Sequence, residues 1–224
     1  MKFLEYTPLS RLNGFLNNVN LGECVLKGAL EAYSCKLAGI DRKLSRSLEH
    51  QVLEYLAQSP DDHSSSPMGP LCSTASRRTL IHLILTMNHI YPDYDFSMVQ
   101  AHNFSKECGL NNVKQIIENY LLEAAKMWSA ENGGDNLLDS IWKAVDEVID
   151  LADCDAYSYM PEFEGDPFIE RGAIWSFNFF FYNKKLKRIL SFSCHCLSKL
   201  AVDDSPTEEI LSDEDTIFEG MDME

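Results

Sequence analysis

A chain of 224 residues with 45 % hydrophobic and 11 % aromatic content carries enough apolar mass for one substantial core. Its formal charge of −16 argues against a general nucleic-acid binder held by phosphate neutralisation, and seven cysteines scattered singly at 24, 35, 72, 108, 154, 194 and 196 do not make a disulfide framework. Lys2 and Glu5 flank only Phe3 and Leu4, so no secretory leader is expected, and the apolar runs near 80–85 and 173–182 are too short to span a membrane. The expected setting is the cytosol, the nucleus or both, with reduced thiols.

Thr7-Pro8 reads as a helix start, a hydroxyl N-cap followed by proline at the first helical position, and Leu9, Leu12, Leu16 and Val19 continue at helical spacing. Gly22 opens a run, Cys24 to Cys35, whose mixed alternation suggests a strand, and Leu44, Leu48, Val52, Leu53 and Leu56 give an amphipathic helix over 42–57. Residues 1–57 thus form an N-terminal block of helix, strand and helix. Over 58–76 Ser, Pro, Gly and Asp displace any hydrophobic period, and the segment reads as a flexible linker. Serine beside proline or arginine is where a kinase can dock, although short serine-rich loops are commonly unmodified. Ser59, Ser64, Ser65 and Ser66 in the linker, and Ser45 after Arg42-Lys43-Leu44, are the candidate phosphorylation sites.

Residues 77–200 form a C-terminal block that completes the same globular domain. Leu80, Leu83, Ile84, Met87 and Tyr91 mark a helix apolar on much of its surface, hence deeply buried, and Pro92 ends it. Asp93 and Asp95, near His89 and His102, offer the residue types of a hydrolase, but no Gly-rich phosphate loop, nucleophile elbow or His-Glu-x-x-His pattern accompanies them. Asn112–Ala130 and Leu137–Leu151 are two further helices, parted by Asn132-Gly133-Gly134-Asp135, and 154–159 is a strand stopped by Pro161.

The chain is organised around Ala173 to Cys196. Trp175, Phe177, Phe179, Phe180, Phe181 and Tyr182 make 173–182 a strand, Asn183-Lys184-Lys185 a turn and Leu186–Cys194 the returning strand. So little alternation requires that helices cover both faces of the sheet. Lys184, Lys185, Lys187 and Arg188 gather positive charge at the turn, which suits a nuclear import signal or an acidic partner, or merely keeps an exposed edge soluble. Phe177, Phe179 and Phe181 beside that turn also suggest an RNA-binding module with stacked bases, although the Gly-bearing RNP pattern is missing. Cys194-His195-Cys196 has zinc-ligand chemistry, but strand alternation sends His195 to the face opposite the two cysteines, so no metal or cofactor is expected. The segment 201–224 supplies −10 of the charge with no Lys, Arg or His and reads as a disordered acidic tail, a solubility device or a competitor for the basic hairpin.

Tyr33-Ser34-Cys35-Lys36-Leu37-Ala38-Gly39, Pro92-Asp93-Tyr94-Asp95-Phe96-Ser97, Trp142-Lys143-Ala144-Val145-Asp146-Glu147 and the run from Trp175 to Ile189, WSFNFFFYNKKLKRI, resemble the signature blocks of the Maf family, the eukaryotic repressors of RNA polymerase III transcription. The likeness covers Met1 to about Ser198, and the short linker is similar to that of a plant-type member. It implies an α+β fold of three layers, a central antiparallel sheet between helices, and no enzymatic activity. It also implies direct binding to RNA polymerase III, which blocks recruitment by the initiation factor containing the TATA-binding protein and Brf. Control by a kinase and a phosphatase of nutrient and TOR signalling would move such a protein between cytoplasm and nucleus under stress. No membrane and no specific DNA site is implied.

Overall fold

Alternation along the aromatic strand decides the architecture. The computed structural model describes residues 1–58, 67–162 and 165–200. In it Phe177, Phe179 and Phe181 of β6 (Ala173–Asn183) enter one apolar cluster while Phe180 and Tyr182 enter a second on the opposite face. A strand wetted on one face cannot carry rings on both, so β6 sits inside a sandwich.

Among the described residues the sheet has seven strands: β1 (Lys2–Phe3), β2 (Val19–Asn20), β3 (Cys24–Ser34), β4 (Phe104–Lys106), β5 (Cys154–Tyr159), β6 and β7 (Arg188–Ser198). Their order is β1-β3-β7-β6-β5-β4, with β2 also beside β3, and every pairing is antiparallel. Leu30, Phe192 and Phe179 stand in one cross-strand row and Tyr33, Ile189 and Tyr182 in another. The first row meets α1 (Thr7–Leu16), α4 (Leu110–Glu131) and α5 (Leu137–Ile149). The second meets α2 (Ile40–Gln58) and α3 (Thr74–Ile90). The expected three-layer α+β fold with a central antiparallel sheet is therefore the observed one. Burying each such ring contributes about 1.5–3 kcal/mol.

Element boundaries differ from the sequence reading for local reasons. Pro8 does open α1, but Tyr6 is the N-cap and no side chain caps the helix, so Thr7 is its first residue rather than its cap. α3 begins at Thr74, not Leu80, because Ser73 Oγ accepts the Ala75 N–H at 3.2 Å. Met68 and Leu71 before it are buried in the second cluster, so the part of the Ser/Pro segment after residue 66 is anchored by its few apolar residues. The Arg77 guanidinium clamps that anchor by donating to the carbonyls of Leu71 and Cys72. β7 starts at Arg188, and Leu186 lies exposed in the turn, where Lys187 adopts φ 54°. The short strands β1, β2 and β4 were not legible, since two or three residues are too few to show a period. Ser59, Ser64, Ser65 and Ser66 and the acidic segment 201–224 lie outside the described residues.

Candidate functional site

The basic turn at the end of the β6–β7 hairpin is built from within. Asn183, fully buried, donates from Nδ2 to the carbonyl of Ile149 at 2.8 Å and accepts the Leu186 N–H on Oδ1 at 2.9 Å, which fixes the turn against the end of α5. Lys184 Nζ then lies 2.7 Å from Asp155 Oδ2, while Lys106 of β4 takes the other oxygen at 2.7 Å. Burial pushes the Asp155 carboxyl up, but the hydrogen bonds from these two lysines outweigh it and hold the group below the usual carboxylate value. Lys185 Nζ pairs with Asp153 Oδ1 at 2.7 Å, and that hydrogen bond raises its pKa. Arg188 donates to the carbonyl of Val148 at 2.5 Å, in the last turn of α5, where a cation meets the negative end of the helix dipole.

Three of the four cations read as an import or partner contact are thus engaged inside the molecule, while the side chain of Lys187 stands exposed without an ion pair among the described residues, its backbone carbonyl accepting the Cys35 N–H at 2.8 Å. An extended-peptide reader of this segment would have to break those contacts first. Ser45 sits half-buried on α2 among Arg42, Lys43 and Arg46.

The aromatic RNA platform does not survive the structure. Phe177, Phe179 and Phe181 are 6 %, 4 % and 0 % exposed, with Tyr120 of α4 5.7 Å from the Phe177 ring and Trp142 of α5 6.1 Å from that of Phe181. Bases cannot stack on rings that helices already cover. Nor do the hydrolase residues converge. Asp95 is spent on Ser97, accepting its N–H at 2.9 Å and its hydroxyl at 3.0 Å, and His102 pairs with Glu162 at 3.1 Å. Cys194 and Cys196 point as alternation requires. Cys194 packs in the first core cluster, whereas His195 registers with Lys27 and Ser176 on the other face. Burial pushes both thiols up, with the neighbouring Cys24 adding to the shift in Cys196, so they hold their protons. No group of three or more potential ligands gathers among the described residues, and no described helix is long and apolar enough to cross a membrane.

The sequence did not suggest an apolar cleft of ≈ 400 Å³ between α2, α3 and residues 97–102. Leu48, Val52, Leu80, Ile84 and Val99 line it together with Gln51 and His102. The half-buried apolar positions on α2 were the available signal, since a helix with only Leu48 fully buried leaves much of its stripe for something else. Such a wall can hold an apolar group.

Comparison with known proteins says what kind of protein carries these features. A family model described as the Maf1 regulator matches residues 26–193. The chain belongs to the Maf1 family. Across 97 % of its length this Maf1 protein is 33 % identical to a Dictyostelium discoideum protein and 34 % identical to one from Schizosaccharomyces pombe, covering 93 % and 91 % of those chains. Both relatives are named repressors of RNA polymerase III transcription. The crystal structure of citrus MAF1 superposes with a TM-score of 0.74 at 53 % identity, covering 86 % of this chain and all of that one. Maf1 membership accounts for the quoted sequence blocks, and the citrus structure shares the layered sheet.

Proposed function

We propose that this protein represses transcription by RNA polymerase III by binding the polymerase itself. Its bound position blocks recruitment by the initiation factor that contains the TATA-binding protein and Brf. The observation that carries the reading is the match over 97 % of the chain to two proteins named as repressors of that transcription. The body supports it. Its site chemistry is that of surfaces rather than of a nucleophile and base, and occlusion requires binding alone, with no enzymatic step. The net acidity disfavours DNA as the direct target and suits a partner with basic surface.

Phosphorylation controls where the repressor acts. Phosphate on Ser45, Ser59, Ser64, Ser65 or Ser66 adds about −1.5 to −2 charges per site and holds the protein in the cytoplasm during growth. Removal by a phosphatase under nutrient limitation or stress releases it to the nucleus. The decisive experiment is promoter-dependent transcription of a transfer RNA template by purified polymerase and initiation factors, with unphosphorylated protein titrated in and polymerase pulled down in parallel. Dose-dependent inhibition with co-precipitation is expected, and a folded protein that neither inhibits nor binds would overturn the reading. Lys187 is the residue through which to test the basic turn. Lys187→Glu leaves the ion pairs of Lys184 and Lys185 intact and lowers nuclear accumulation after nutrient withdrawal if the turn serves import. Unchanged accumulation would remove the turn from the mechanism.

A further inference from the structure

The sheet has an edge that its own strands leave uncovered. β5 accompanies β6 only from Asn183 back to Phe179, opposite Ser158, so residues 173–178 pair with β7 on one side and with no described strand on the other. Outward-pointing backbone groups along such a stretch are a template for one more strand. The sequence here, Ala173-Ile174-Trp175-Ser176-Phe177, places no charge on that edge to discourage pairing. A bulge between Ala173 and Trp175 turns Ile174 outward, 62 % exposed. Met160, just past the end of β5, and Ile169, in the segment leading to β6, are 60 % and 45 % exposed. Arg171, beside half-buried Glu170, is exposed and makes no ion pair among the described residues.

We propose that the acidic segment 201–224 of the same chain lies along this free edge of β6, its apolar residues on Ile174, Met160 and Ile169 and its carboxylates at Arg171. Three observations single out this occupant. The segment is rooted at the right place: the Ser198 N–H bonds the carbonyl of Gly172, next to the first residue of β6. From β7 to the outer side of β6 is two strand spacings, about 10 Å, which three or four extended residues cover. Beyond that root the segment still holds the apolar pairs Ile210-Leu211 and Ile217-Phe218, the second behind Thr216 and so rich in strand-forming types. Finally, the charges are complementary, −10 on the segment against a free guanidinium, whereas Lys184, Lys185 and Arg188 of the basic hairpin are already engaged. Tethering makes this binding intramolecular, so weak contacts suffice at an effective concentration in the ~mM range.

Hydrogen exchange on the full chain tests the assignment. The comparison is between the native sequence and a full-length variant in which Ile210, Leu211, Ile217 and Phe218 are all changed to Ser. The variant keeps every described core residue, and slow exchange in β3 and in the β7 half of the hairpin reports an intact fold. The amides of 174–177 that do not bond β7 are expected to exchange about tenfold faster in the variant. Arg171→Glu gives a smaller acceleration that vanishes at high salt, because the native contact is itself screened there. Equal exchange at 174–177 in native protein and the fourfold variant would overturn the proposal. So would protection that persists in the variant and grows with protein concentration alongside a doubled mass, since the edge would then belong to a second copy.

Discussion

His82 is a buried base that must stay neutral. It lies on α3 with Nδ1 2.7 Å from the Tyr182 hydroxyl and is only 8 % exposed. Burial, reinforced by the positive charges of Arg78 and Lys187, lowers its pKa to about 4, well under the 6.5 of an ordinary histidine. Between those two values the unfolded chain binds a proton that the folded protein does not, so stability rises with pH across the window and is lost as pH falls through it. The full effect is up to about 3 kcal/mol, reached below pH 4. Urea midpoints measured from pH 7 down to pH 4 should fall, and His82→Gln should flatten that part of the profile, since glutamine has no proton to gain. Gly28 makes a steric demand instead. A Cβ there would stand 3.2 Å from Cys194 Sγ on β7, a tight approach, and in ordinary contact at 3.5 Å with Leu16 Cβ of α1, so a branched side chain would press on both neighbours. Gly28→Val should lower stability by about 1–3 kcal/mol through overpacking, read as a shift in denaturant midpoint at unchanged slope.

The β6–β7 hairpin shows which parts of an element a sequence can reveal. Its strands were legible because large rings at consecutive positions can be buried only between two layers, and the helices on both faces follow from that. Its turn was legible as polar and basic, but its cations were not legible as bound. Asp153 and Asp155 lie about thirty residues upstream, and only the antiparallel pairing of β5 with β6 brings them to Lys185 and Lys184. β4 escaped notice because three residues carry no period, and α3 began early because its start is a capping serine inside a polar stretch. Asn183 joins these local and distant causes, bonding the Ile149 and Asp150 carbonyls and the Leu186 N–H at once. Asn183→Ala strands the Leu186 N–H of the turn and removes the amide donor from the Ile149 carbonyl at the end of α5, and should cost about 2–4 kcal/mol by thermal or chemical denaturation. An Asn183→Ala protein as stable as the native one would mean that water replaces all three bonds at no net cost.

Charge separates the molecule into two parts, −10 in the last segment and −6 in the rest, and even the hairpin's cations are largely neutralised where they stand. The proposed repression, through the polymerase rather than the promoter, has two consequences. A labelled transfer RNA gene duplex should show no saturable binding at physiological salt at protein concentrations up to about 10 µM, because there are few free cations to release its counterions. The order of addition should also matter. If the bound protein prevents an encounter, it inhibits when mixed with polymerase before the initiation factor and template. It has nothing left to block once the polymerase is seated on the promoter. A single round of transcription started from a preassembled complex should therefore resist the protein, while repeated rounds, each needing fresh recruitment, should decline with the same dose dependence as the pull-down. Equal inhibition of both would place its action after recruitment, on initiation or elongation, and the occlusion mechanism would have to be abandoned.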